Sequence, residues 1–323
     1  MLHTDHPRAE PQPIPANLRS TQPGGGKCYS LELAWGGWRR AWLKKFRPGY
    51  VRRMAETMTG STEGAPHEIL DTRDLKYARN QCTAAWAPEH DPFRWRSHVG
   101  FARWGLCELM LMGGFWLAAT VGLLFLPDAW KWFALIAGVV FVLIVWFFRD
   151  PPRRVATEPG LVVSPADGKL VEVTPLAHHD FVGGPAFRIG IFLSIFNVHI
   201  NRSPVKSRVV QLQYSPGKFL NALDPESALL NENLWIGLEE EELPHRKMVV
   251  RQISGLIARR IVCDLRSGEV LERGQKFGMI KFGSRTELIL PQAGFELLVK
   301  PGQMLQAGST VLGKYAEVST LPA

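Results

Sequence analysis

Four short segments carry side chains that could do chemistry. In KFGSR, Lys281 to Arg285, a serine hydroxyl follows a glycine in a turn, and such a hydroxyl becomes a nucleophile only when a base lies close by. In FLSIFNVHINRSP, Phe192 to Pro204, His199 follows an apolar run and precedes Asn201, Arg202 and Ser203, so an imidazole able to move a proton near neutrality stands at a strand end. SPADG, Ser164 to Gly168, places Asp167 in a Pro-x-Asp-Gly turn. The run ISGLIARRIVCDLRSG carries Arg259 and Arg260, whose guanidinium groups suit a phosphate. Each segment also has an ordinary explanation. Asp167 is a common turn residue, a single histidine can simply be hydrogen-bonded in a core, and paired arginines are often solvated.

These residues need a scaffold, and the composition supplies one. The chain has 323 residues, 46% hydrophobic and 21% charged, so it folds rather than remaining disordered. Glycine (30) and proline (23) are too few and too aperiodic for a fibrous or low-complexity polymer and point to many turns. A net charge of +8 favours an anionic partner: acidic lipid, nucleic acid or a phosphate-bearing substrate. The four cysteines form no CxxC pair and no histidines stand at zinc spacing, so neither a disulfide framework nor a metal site is expected. The polar, proline-rich N-terminus has no apolar core of a secretory signal.

Two uncharged stretches, residues 109–126 and 132–148, are each long enough to cross a bilayer and are separated by a short polar break. Arg94, Arg96 and Arg103 precede them and Arg149, Arg153 and Arg154 follow, which places both flanks in the cytoplasm and makes the pair a transmembrane hairpin over 105–148. Upstream, Trp35, Trp38, Trp42 and Phe46 recur at helical spacing among seven cations from Arg39 to Arg53. This is the pattern of a helix lying on an anionic bilayer, though an ordinary half-buried helix and a nucleic-acid-binding segment share it. Beyond 149, apolar runs such as 187–196, 248–253, 257–263, 288–290 and 295–299 alternate with Gly and Pro turns, and one helix is expected over 218–231. The acidic run Glu239 to Glu242 reads as a solvated loop. The expected fold is α+β: an N-terminal extension (1–104), the two-helix transmembrane hairpin, and a mainly β soluble catalytic domain (149–323).

Taken in order, SPADGK, FLSIFNVHINRSP, PGKFLNA, GLIARRIVC and GMIKFGSR resemble the short form of the phosphatidylserine decarboxylase proenzyme family over residues 148–315, with 253–285 the most specific stretch. The resemblance implies that the chain cuts itself between Gly283 and Ser284, giving a β chain of 283 residues and an α chain of 40. An N-to-O acyl shift at Ser284, elimination to dehydroalanine and hydrolysis with loss of ammonia would leave a covalent pyruvoyl group and require no external cofactor. The family chemistry then converts phosphatidylserine to phosphatidylethanolamine and CO₂ through a Schiff base, with the conjugated carbonyl as electron sink. By motif, His199 is the base and Asp167 its orienting carboxylate, a division of labour familiar from catalytic triads. Arg202 stands where long-form relatives carry a second histidine, and Lys281 where short-form relatives usually carry arginine, which keeps the charge and loses the bidentate fork. Arg202, Arg259, Arg260 and Lys281 are the candidate substrate contacts. The implied partners are phosphatidylserine in the bilayer and the two chains of one precursor, with no nucleic acid and with a homo-oligomer left open. The implied location is the cell inner membrane with the catalytic domain facing the cytoplasm. Two other readings share some of these features: a pyruvoyl decarboxylase of a soluble amino acid, which leaves the hairpin unexplained, and a membrane-anchored β-sandwich adaptor, which needs neither Ser284 nor His199.

Overall fold

A computed structural model describes residues 8–224, 226–257, 260–281 and 283–316. The apolar runs of the C-terminal half become strands: β1 (Leu161–Val163), β2 (Gly168–His179), β3 (Gly184–Leu193), β4 (Ile200–Arg202), β5 (Ser207–Ser215), β6 (Asn233–Glu240), β7 (Lys247–Ser254), β8 (Arg260–Cys263), β9 (Val270–Leu271), β10 (Lys276–Lys281), β11 (Ser284–Pro291), β12 (Phe295–Leu297), β13 (Met304–Leu305) and β14 (Val311–Tyr315). Eight of them form one sheet in the order β13-β2-β3-β11-β7-β6-β5-β9, and two three-stranded sheets, β4-β10-β8 and β1-β14-β12, complete the domain. All pairs between these strands are antiparallel.

Strand periodicity decides what each face does. Along β11, Leu288 and Leu290 enter the main core with Ile189, Ile191, Leu193, Ile236 and Val250, while Ile289 joins a separate cluster with Ala186 and Val249. Ser284 and Thr286 therefore share the core-side face, and Thr286 Oγ1 accepts a 3.0 Å bond from Asn201 of β4. That face of β11 looks toward the sheet that contains β4 and β10.

Two expectations are corrected. The helix over 218–231 shrinks to one turn, Ser227–Leu230. Lys218 bridges Asn231 instead, and the Asn231 side chain bonds both backbone groups of Leu220 and the Ser254 carbonyl, so tertiary bonds hold the segment as a loop. The acidic run is a solvent-facing turn only in its second half, Glu241 and Glu242. Glu239 and Glu240 end β6, buried, with Arg208 at 2.7 Å from the first and Arg246 at 2.8 Å from the second. The cations that make this burial tolerable lie elsewhere in the sequence.

Two apolar helical spans, Arg103–Leu124 and Asp128–Phe147, are long enough to cross a bilayer. They pack together through small residues, with Gly138 against Thr120 and Gly113 facing Phe141 and Ile144. Their outer faces expose Phe115, Phe125, Trp132 and Phe133. In the N-terminal region, the helix Lys27–Phe46 is fixed by Arg39, which is buried in ion pairs with Asp71 and Asp74, and leaves Trp35, Trp38, Trp42 and Phe46 exposed. Ahead of that helix, Leu18 enters the main core, and Thr21 accepts the Cys263 N–H through its carbonyl at 2.8 Å.

Gly168 begins β2 at φ +146°, and a side chain there would lie 2.2 Å from the Phe192 carbonyl oxygen. Gly168→Ala should therefore lower stability by about 3 kcal/mol, read as a fall in the thermal midpoint of the purified chain. An unchanged midpoint would show that β2 and β3 separate more easily than this packing implies.

Candidate active site

The chain crosses from one sheet to another at the Gly-Ser pair. β10 ends at Lys281, β11 begins at Ser284, and Gly283 turns the corner at φ +72°, a left-handed conformation in which glycine carries no side-chain penalty. Two bonds tie this corner to His199. The Ile280 N–H donates to the His199 carbonyl at 3.2 Å, and the Gly283 N–H donates to His199 Nε2 at 3.1 Å.

Nε2 accepts from Gly283, so the ring proton sits on Nδ1, which bonds the Asn197 carbonyl at 2.9 Å. The loop that supplies this carbonyl is braced by Asn197 Oδ1, which accepts from both the backbone N–H and the hydroxyl of Ser194. Phe147, at the end of the second apolar helix, lies over the imidazole with ring centroids 4.5 Å apart. The ring is fully buried, and desolvation pushes its pKa down to about 4. His199 is thus neutral at pH 7, with its lone pair aimed at the Gly283 peptide.

Ser284 lies beside Leu193 of β3 and Ser254 of β7. Its hydroxyl is buried and has no hydrogen-bond partner among the described residues. A buried hydroxyl left unpaired costs about 1–3 kcal/mol, so it marks a group held ready for another use. The other side of the peptide is equally close-packed. A side chain at Gly255 would come within 2.6 Å of the Gly283 carbonyl oxygen, so the missing Cβ makes room for that carbonyl.

The structure brings together Gly283, Ser284 and His199. It places Asp167 differently: its carboxylate receives Arg153 at 2.7 Å and the Ala307 N–H at 2.8 Å, and among the described residues no hydrogen bond joins it to His199. Burial raises the Asp167 pKa, while Ala307 and Arg153 oppose that shift. The orienting acceptor on Nδ1 is the Asn197 carbonyl. Arg202 is buried against the Gly274 carbonyl at 2.9 Å and Asp150 at 3.5 Å. Arg260 and Lys281 both bond Glu108, and burial pushes the Lys281 pKa down to about 8. Arg259 lies outside the described residues. Among the described residues, no cluster of three or more His, Cys, Asp or Glu is arranged to hold a metal. A cavity of about 360 Å³ between the N-terminal region and the β domain, lined by Lys76, Arg79, Arg103, Glu269 and Lys276, does not include Ser284 or His199.

Sequence reasoning missed Asn197, Gly255, Phe147 and Glu108. Glu108 carried the one readable signal, a single acid set against an uncharged stretch of 18 residues.

A left-handed glycine, an unpaired serine hydroxyl and a neutral buried imidazole thus meet at one peptide. The profile of the family described as phosphatidylserine decarboxylase matches residues 140–313. The chain is 48% identical to a phosphatidylserine decarboxylase proenzyme of Rhodopirellula baltica over 246 residues, 75% of this chain and 100% of the relative. It is 40% identical to the proenzyme of that name from Carboxydothermus hydrogenoformans over 64% of this chain and 96% of the relative. A third, from Symbiobacterium thermophilum, is 48% identical over 57% and 84%. The chain belongs to the phosphatidylserine decarboxylase family, whose members are pyruvoyl-dependent carboxy-lyases.

The imidazole gives a test of its burial. The folded pKa near 4 lies below the ordinary value of 6.5, so the unfolded chain binds more protons between them. Stability from this group is complete above about pH 6.5 and is lost as the pH falls toward 4, by about 3 kcal/mol in all. Thermal unfolding across that range should fall less steeply for His199→Gln than for the parent chain. Equal slopes would mean that the ring is not held neutral.

Proposed function

We propose that this chain is a membrane-inserted phosphatidylserine decarboxylase that matures by cutting its own Gly283–Ser284 bond. The observation that carries the reading is the unpaired, buried Ser284 hydroxyl next to a left-handed Gly283 whose N–H rests on His199. Maturation begins when Ser284 Oγ attacks the Gly283 carbonyl carbon. His199 Nε2 leaves the Gly283 N–H, takes the hydroxyl proton and returns it to the Ser284 nitrogen as the C–N bond breaks, which leaves an ester and a free amine. The carbonyl oxygen, which gains negative charge in this step, occupies the space kept open at Gly255.

The buried residues around position 284 fit a pyruvoyl group formed there from the serine itself, since the hydroxyl has no competing partner and the flanking strands hold the new terminus. When formed, that group supplies an electron sink for decarboxylation. The protein's own part is to keep the site dry and in register. On the face of β11 opposite Ser284, Arg285 pairs with Glu172 and Glu287, and Arg251 holds Glu287 at 2.8 Å, so the strand stays fixed after the backbone is cut. A neutral His199 with Nε2 free of its original donor is suited to take a proton from solvent and deliver it to the reacting carbon.

The lipid reaches this site from the side of the hairpin. Ile195 and Phe196 expose apolar side chains next to the corner, and Ile195 is the nearest neighbour to a side chain built at Gly283. The Phe196 carbonyl accepts from Trp146 at 3.1 Å and from Arg149 at 2.9 Å, so the end of the second apolar helix holds this rim. Hairpin helices that span the bilayer, with basic flanks on the cytoplasmic side, hold the site at headgroup height. The exposed Trp35, Trp38, Trp42 and Phe46, with the cations through Arg53, give the N-terminal helix a second contact with anionic lipid.

Intact-mass measurement of active material should show a fragment of residues 284–323, 40 residues long, with a ketone-bearing N-terminus. A single uncut chain in an active preparation would overturn the reading. Ser284→Ala should remain uncut and release no CO₂ from phosphatidylserine vesicles, and turnover of free amino acids by the parent chain would redirect the assignment to a soluble substrate. Gly255→Ala should slow cutting at least tenfold, because the new methyl crowds the Gly283 carbonyl. Alkaline carbonate extraction should leave the parent chain in the membrane pellet, and release to the supernatant would contradict a spanning hairpin.

A further inference from the structure

The first hairpin helix delivers a carboxylate to the strand that leads into the cut. Glu108 is 5% exposed. Its Oε1 accepts Lys281 Nζ at 2.7 Å and Arg260 Nη1 at 2.9 Å, and Lys281 also donates to the Trp104 carbonyl at 3.0 Å. Lys281 and Arg260 are direct cross-strand partners on β10 and β8. Without Glu108, two buried cations would stand side by side, an unfavourable arrangement that forces one of them to move or lose its proton.

Lys281 is the last residue of β10, two positions before Gly283. The same strand end holds the Ile280 bond to His199. The helix is also unusual at this point, since a π-helical turn, Leu109–Gly113, begins directly after Glu108. Such turns recur where a helix must aim a side chain at a site. Glu108 lies outside the span of the family profile, and its hydrogen bonds among the described residues go to Lys281 and Arg260, not to Ser284 or His199.

We propose that Glu108 is a positioning residue for self-cleavage: by clamping Lys281 beside Arg260 it fixes the end of β10 and hence the left-handed Gly283 peptide against His199. The inference rests on the self-cleaving reading above. It follows that the precursor cuts itself faster once the hairpin has docked on the β domain.

The test uses the full chain in lipid nanodiscs and follows appearance of the 284–323 fragment. Glu108→Gln should slow the cut at least tenfold. The double exchange Glu108→Lys with Lys281→Glu keeps one carboxylate between two cations and should return the rate to within about threefold of the parent. Thermal unfolding and carbonate extraction of each variant separate a cutting defect from a folding defect. Cutting of Glu108→Gln at the parent rate overturns the proposal. If Glu108→Gln fails to insert, the inserted double exchange decides alone, and slow cutting by it overturns the proposal as well. Failure of the parent itself to cut removes the self-cleaving reading and this inference with it, whereas a parent that cuts beside an equally fast Glu108→Gln removes only the inference.

Discussion

The hydrogen bond from the Gly283 N–H to His199 Nε2 is the constraint around which the rest of the domain is arranged. It forms only if the chain leaves β10 and enters β11 through a left-handed glycine, and only if the imidazole is neutral with its proton on the Asn197 side. Burial secures the protonation state and the Asn197 carbonyl secures the tautomer. The corner between two sheets secures the backbone. Continuous strand through residues 281–285 would commit the Gly283 N–H to the ladder and take it from His199.

Charge is buried around this corner in compensated sets. Glu108 sits between Lys281 and Arg260 on one side. On the other face of β11, buried Glu287 takes up Arg285 and Arg251, and the half-buried Glu172 takes up Arg285 and Arg188 nearer the solvent. Such sets add little net stability over apolar packing, but removing one member leaves an unpaired charge in a low-dielectric site. They are therefore sensitive to position, and here they locate strand ends to within a hydrogen-bond length. The hairpin takes part directly, with Glu108 from its first helix and Phe147, over His199, from its second.

Much of the β domain was legible because its strands carry their burial in their own residues. Runs 248–253 and 288–290 fall inside β7 and β11, where the shortness of the run and its flanking turn residues favour a strand over a helix. The segment 218–231 was misread because local helix propensity lost to Asn231, whose amide bonds Leu220 and Ser254 from a distance. Glu239 and Glu240 were misread for a related reason, since their acidity signals solvent until Arg208 and Arg246 are seen beside them.

The sequence by itself determined the family and the two apolar spans and singled out Gly283, Ser284 and His199 as candidates, because each depends on residue type and order along the chain. Only the tertiary structure decided which group orients His199, where Asp167 and the cations are spent, and that Glu108 reaches the end of β10. Those outcomes depend on which buried donors and acceptors meet, at separations from 2 residues for Asn197 and His199 to 173 for Glu108 and Lys281, and desolvation makes each unmet partner costly enough to choose among arrangements that local pattern leaves equal.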